Sequence, residues 1–126
     1  MSIPEDARIS QTHEWHRVEG NLVTVGITQF AADELTDITF VDLPETGATV
    51  EAGGAFGEIE SVKATSEMFC AVGGTVLEVN AALADQPELV NDDPFGKGWM
   101  IRVSTDDTGP LDVLLDKAGY EKMTSS

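Results

Sequence analysis

Short runs with apolar residues at alternate positions recur along this chain, each stopped by glycine, proline or asparagine, and this rhythm limits the fold to a small β architecture. Side chains two residues apart share a face in a strand, not in a helix. Glu14 to Val18 and Asn21 to Ile27 read as paired strands joined at Glu19-Gly20-Asn21, with Val23, Val25 and Ile27 on one face. Thr28 is expected to cap a short helix ending at Leu35, whose apolar stripe is Phe30, Ala31 and Leu35. Ile38 to Val41 is the next run, halted by Pro44 and Gly47. Ala55 to Ser61 and Thr65 to Val72 form a hairpin spanning about residues 55–72. Beyond Gly73-Gly74, Thr75, Leu77 and Val79 are expected on one face, and beyond Gly98 the residues Trp99, Ile101 and Val103 alternate in the same way.

Pro110 opens a helical tail over about residues 110–123, turning Leu111, Leu114 and Leu115 towards the body, with Thr124-Ser125-Ser126 fraying. The expected fold class is mainly β, a flattened β-barrel or sandwich with short peripheral helices and a C-terminal helix. A chain of 126 residues supports one core, so residues 1–126 are read as a single domain. A repeated Gly-x-Thr-Val at 47–50 and 73–76 hints at two related halves, although four residues are a short match.

Seven basic residues against 23 acidic ones give a net charge of −16, which excludes general nucleic-acid binding and disfavours anionic membrane surfaces. Proteins with basic docking faces fit this charge as partners, and solubility or a salt-adapted proteome accounts for it equally well. No apolar stretch is long enough to cross a bilayer. The start Met1-Ser2-Ile3-Pro4-Glu5-Asp6 resembles neither a signal peptide nor an Arg-rich transit peptide, so a bacterial-type cytoplasm is the expected location. Cys70 is the only cysteine and reads as a small core residue, without a disulfide or thiolate cluster. His13 and His16 are an odd number of residues apart, which sends them to opposite faces of a strand, so no metal site is expected. His13 reads instead as a structural hydrogen-bonding residue beside Trp15. Asn80 and Asn91 read as turn or cap residues, and Trp99 as a ring filling the core or covering its edge after the bend allowed by Gly96 and Gly98.

Lys63 is the residue that chemistry singles out. It sits at the hairpin tip, in a turn flanked by Glu58, Glu60 and Glu67. A lysine becomes a strong nucleophile when desolvated or crowded by positive charge, and an exposed acidic turn does neither. Lys63 is therefore better suited to receive a modification than to attack a substrate.

The run Glu60-Ser61-Val62-Lys63-Ala64-Thr65-Ser66-Glu67 resembles the lipoylation site of glycine cleavage system H proteins. Thr12-His13-Glu14-Trp15, Val25-Gly26-Ile27-Thr28, Asn80, Leu89-Val90-Asn91 and Asp93-Pro94-Phe95-Gly96-Lys97-Gly98-Trp99-Met100 resemble family segments in the same order, covering nearly the whole chain. Biotinyl carriers typically place methionine on both sides of their lysine, where this chain has Val62 and Ala64. Lipoyl domains of 2-oxoacid dehydrogenases typically have aspartate before the lysine and lack the His-Glu-Trp and Gly-Trp flanks.

The resemblance implies a lipoyl-carrier domain with lipoate attached as an amide to Lys63, and Glu60, Ser61, Val62 and Ala64 recognised by the lipoate-attaching enzyme. It implies no catalytic step of the chain's own. The arm, reaching roughly 14 Å from bond lengths of about 1.5 Å, would accept an aminomethyl group at the pyridoxal-phosphate-dependent glycine decarboxylase and deliver it to the tetrahydrofolate-dependent aminomethyltransferase. Dihydrolipoyl dehydrogenase, a flavin (FAD) enzyme, would reoxidise it, each partner meeting a monomer transiently. Family members are described as sheltering the loaded arm in a cleft where carboxylates hold its amine; Glu14 and Glu67 match those positions. Two departures stand out: Glu67 where aspartate is frequent, and Ala71 where proline is common, the latter expected to cost some rigidity at a strand end. The rival readings are an H-like lipoyl donor or carrier serving another pathway, which neighbouring genes would distinguish, and a Schiff-base enzyme, which would need Lys63 in an apolar pocket.

Overall fold

The computed structural model describes residues 3–125; Met1 and Ser2 of the polar start, and Ser126 of the expected frayed end, lie outside the described residues. The strands are β1 (Arg8–Ile9), β2 (Glu14–Glu19), β3 (Leu22–Ile27), β4 (Ile38–Asp42), β5 (Thr49–Val50), β6 (Gly54–Ser61), β7 (Thr65–Cys70), β8 (Gly74–Val79) and β9 (Ile101–Ser104). They form a six-stranded sheet in the order β1-β2-β3-β9-β8-β5 and a three-stranded sheet in the order β4-β6-β7. Every pairing is antiparallel. The mainly-β expectation is met in its sandwich form, by two open sheets. The two-residue strands β1 and β5 are additions to the expected set, too short to show alternation in the sequence.

Alternation places the core between the sheets. Val23 and Val25 of β3, Val76 of β8, and Ile101 and Val103 of β9 meet Val41, Phe56, Ile59 and Met68 from the smaller sheet. Full burial of an aliphatic or aromatic side chain contributes about 1.5–3 kcal/mol, so this face supplies most of the cohesion. A second cluster, Ala7, Ile9, Trp15, Phe95 and Tyr120, lies on the outer side of the amino-terminal strands. The Trp15 ring crosses β3 at Gly26, where a β-carbon would lie 2.8 Å from its atoms, closer than packing permits. Its indole N–H donates to the Pro94 carbonyl at 3.0 Å.

Three local expectations change. Helix α1 (Gln29–Leu35) is capped as read, with the Ala31 N–H donating to Thr28 Oγ1 at 3.2 Å. It buries Ala32 completely, whereas Phe30 is 38% exposed, with its ring 4.8 Å from that of His13. Two helical residues are about 200° apart around the axis, so burying the small Ala32 face turns Phe30 outward. In β8 the register slips between Val76 and Glu78, leaving Leu77 as the bulged residue. Val76 is consequently the core residue and Leu77 is 54% exposed, contrary to the simple alternation.

The C-terminal tail is not one helix. A 3-10 helix (Gly109–Val113) is followed by extended Leu114-Leu115, and the N–H and C=O of Leu115 both pair with Ile9 of β1, at 2.9 and 2.8 Å. Helix α4 (Lys117–Thr124) starts afresh where Asp116 Oδ1 accepts the Gly119 N–H at 2.8 Å. Its end is held by Thr124 Oγ1 donating to the Tyr120 carbonyl and by the Ser125 N–H donating to Glu121. Fraying is thus not seen at Thr124 or Ser125.

Two one-turn helices, α2 (Ala82–Asp85) and α3 (Leu89–Asp92), fill the connection from β8 to β9. Asn80 and Asn91 bond backbone as read, Asn80 Oδ1 accepting the Ala82 N–H at 3.3 Å, and both also reach distant segments. Asn80 Nδ2 donates to the carbonyls of Lys97 and Trp99, at 2.7 and 2.8 Å. Asn91 receives the Ile38 N–H and donates to Thr36, fixing the loop from α1 to β4. Trp99 is half-buried, with the Arg102 guanidinium 4.1 Å above its ring centroid.

Candidate functional site

Strands β6 and β7 extend as a hairpin whose tip is Ser61–Ala64. Ser61 builds that tip: its N–H donates to the Ala64 carbonyl at 2.9 Å, and its Oγ accepts the N–H groups of Lys63 and Ala64 at 3.1 and 3.0 Å. The loop from α1 to β4 buttresses it, because the Val62 N–H donates to the Asp37 carbonyl at 3.1 Å. Lys63 is exposed, and its Nζ donates to the Glu34 carbonyl at 3.1 Å. Val62 is 69% exposed, and Glu60, paired with Thr65 across the hairpin, also faces solvent. The predicted recognition residues thus surround the lysine on one accessible turn, with Ser61 setting its shape.

Glu14 occupies a different setting. It is 2% exposed, at the start of β2. Its Oε1 accepts hydroxyl hydrogens from Ser10, at 2.5 Å, and from Thr12, while Oε2 accepts the Phe69 N–H of β7 at 3.1 Å. Burial pushes the carboxyl above its usual range, and these donors partly counter the rise. The carboxylate lines a cavity of about 360 Å³ with Ser10, Thr12, Gly53, Phe69, Cys70, Ala71 and Leu114. One acidic group in a largely apolar wall suits a ligand with an apolar body and a cationic end.

Glu67 does not join that lining. It is exposed on β7 opposite Glu58, and it shares a strand face with Phe69, one step nearer the tip. Along β7, Glu67 therefore stands between the Lys63 turn and Phe69 of the cavity wall. Cys70 packs into the core with its thiol pushed up to about 11 by burial, a pKa that keeps it protonated and unreactive at neutral pH.

The two histidines serve separate contacts. His13 has φ +75° and shares a 2.7 Å hydrogen bond with the Tyr120 hydroxyl, which in turn meets Thr28 Oγ1 at 2.7 Å. Burial lowers its pKa, opposed by the Glu34 charge. His16 is fully buried and bonds the backbone of Arg8 and Ala71. Sequence reading missed Ser10, Thr12, Phe69 and the Glu34 carbonyl as neighbours of the site. Ser10 and Thr12 belong to the turn between β1 and β2, where Ser10 pairs with Glu14 across the turn, so their hydroxyls meet the carboxylate through turn geometry and not strand alternation. Nothing local to Phe69 or Glu34 announces their roles, which depend on tertiary placement.

The glycine cleavage H-protein family profile matches residues 7–126. Glycine cleavage system H proteins of Bacillus cereus (strain AH820) and Bacillus anthracis (strain A0248) are each 50% identical over 125 residues, covering 99% of this chain and 98% of the relative. The crystal structure of a glycine cleavage system H protein from Mycobacterium marinum superposes with a TM-score of 0.87 at 38% identity, covering 96% of this chain and 98% of that one.

Proposed function

Because the chain belongs to the glycine cleavage H-protein family, we propose that it carries lipoate as an amide on Lys63 and shuttles the aminomethyl group of glycine between the other components of the system. The observation that carries this reading is the exposed Lys63 amine on the turn built by Ser61. The residues fit the group. Acylation would remove the lysine charge but leave one N–H, enough to keep the single bond that Nζ makes to the Glu34 carbonyl. When attached, the dithiolane supplies a disulfide that can be reduced and reoxidised and a thiol that can hold the aminomethyl group.

The chain's own residues present, shelter and orient. The Ser61 turn holds Lys63 outward with little further ordering, which lowers the cost of entering a partner's active site. The Glu14 carboxylate, fixed by Ser10, Thr12 and the Phe69 amide, would receive a cationic amine through a charge-assisted bond. Phe69, Ala71 and Leu114 would keep water from the rest of that cargo. Glu67, between tip and cavity, would add a second carboxylate along the path. The partners are a pyridoxal-phosphate-dependent glycine decarboxylase, a tetrahydrofolate-dependent aminomethyltransferase, an FAD-dependent dihydrolipoyl dehydrogenase and a lipoate-attaching enzyme. Glu34, Asp37, Glu58 and Glu60 around the tip suit basic rims on these enzymes.

An exposed Lys63 whose amine meets, among the described residues, a backbone carbonyl argues against a Schiff-base mechanism, which requires desolvation. The test is reconstitution. The lipoylated chain mixed with glycine decarboxylase should support exchange of labelled bicarbonate into the glycine carboxyl group, and the unmodified chain should not. Equal exchange from both forms would refute the carrier role.

A further inference from the structure

Glu14 and His16 stand two residues apart on β2, so their side chains leave the same face. Phe69 and Ala71 are likewise two apart along the end of β7, and their N–H groups are the donors to Glu14 Oε2, at 3.1 Å, and His16 Nε2, at 3.1 Å. Two residues of extended chain advance about 6.6 Å on either segment, so the two bonds run as parallel rungs. The strands they join belong to different sheets and share no backbone ladder. The second ring nitrogen of His16, Nδ1, lies 3.3 Å from the Arg8 carbonyl and donates to it, which leaves Nε2 as the acceptor. Burial holds the imidazole at about 4, hence neutral and in this tautomer at physiological pH.

This arrangement bears on the cavity because Phe69, Cys70 and Ala71 form one wall while Ser10, Thr12 and Glu14 form the other. Both rungs end on the Phe69–Ala71 wall, but of their two acceptors Glu14 faces the cavity and His16 stands behind it. His16 does not line it, yet holds the far end of the Phe69–Ala71 wall against β2 and, through Arg8, against β1. An alanine at position 71 has an N–H that needs an acceptor, and His16 supplies it.

We propose that His16 is a positioning residue for this cavity: by accepting the Ala71 N–H while donating to Arg8, it holds the wall so that Glu14 keeps its bond to Phe69 and its aim at a cationic amine. The second half of that statement rests on the carrier function proposed above. The first half is independent of lipoate.

The experiment compares His16→Asn with His16→Gln in the unmodified chain. Asparagine can still reach the Arg8 carbonyl but is too short for Ala71, whereas the glutamine carbonyl reaches the position of Nε2. Loss of one rung should raise hydrogen exchange at the Phe69 amide, a group that His16 does not touch, by roughly tenfold, the worth of about one hydrogen bond. The carboxyl NMR titration midpoint of Glu14 should move with it. His16→Gln should return both readouts close to wild type. Changes confined to Ala71, with Phe69 and Glu14 unmoved, would overturn the proposal. If His16→Asn fails to fold, Ala71→Pro deletes the donor while leaving His16 intact, and the Glu14 midpoint should shift in that variant too; an unmoved midpoint there would also overturn the proposal. In the lipoylated, aminomethyl-loaded chain, His16→Asn should release its cargo to water faster. Wild-type release alongside a raised Phe69 exchange would sink the sheltering role while leaving the clamp standing.

Discussion

Lys63→Arg is expected to reduce reconstituted glycine–bicarbonate exchange to background, while unfolding in denaturant stays within about 0.5 kcal/mol of wild type, the usual range for an exposed substitution. Arginine keeps the positive charge and can still donate to the Glu34 carbonyl, the bond that Lys63 Nζ makes at 3.1 Å. The turn is held by Ser61 Oγ and by Val62 on Asp37, so it does not depend on the residue at position 63. What arginine lacks is a primary amine able to form the lipoyl amide. Loss of exchange with an intact fold separates carriage from stability. Substantial exchange by Lys63→Arg would mean that the functional group lies elsewhere.

The second large effect concerns the fold. Trp15→Ala should cost about 3–5 kcal/mol, as large aromatic deletions from a core do. Trp15 is 1% exposed, its ring centroid lies 6.0 Å from that of Phe95, and its N–H donates to the Pro94 carbonyl. Its removal leaves a cavity over Gly26 and strands that carbonyl. Tyr120 shares the cluster, so loss of the helical signal of α4 should accompany or precede the main transition. Phenylalanine at position 15 should recover part of the loss, since it refills volume without the donor. Chemical denaturation followed by circular dichroism checks this, and a Trp15→Ala midpoint equal to that of wild type would show that the second cluster is dispensable.

Much of this architecture was legible because it depends on period and punctuation. Val23, Val25, Ile101 and Val103 alternate cleanly and are buried, and Thr28 caps α1 as its hydroxyl and position suggest. Leu77 was misread because a bulge inserts one residue without any glycine or proline to mark it. The tail was misread because Leu114 and Leu115 fit a helical stripe as well as they fit an extended segment. Pairing with Ile9, more than one hundred residues earlier in the chain, decides between them.

The site divides along the same line. Lys63 and its turn are local, so residues 60–64 carried the information. Glu14 as a strand residue invited the reading of a solvated carboxylate, and only the family resemblance pointed inward. Its burial follows from the approach of Phe69, 55 residues away. The same long-range approach answers the question raised by Ala71. Alanine there brings an N–H that proline lacks, and His16, which the sequence offered only as half of a rejected metal pair, accepts it.

The central claim is most directly tested by intact mass and peptide mapping of the wild-type chain after incubation with lipoate, ATP and a lipoate ligase shown to be active on a control substrate. One lipoyl amide should appear, on the peptide containing Lys63. An unchanged mass, or a lipoyl group on a different lysine, would contradict the account.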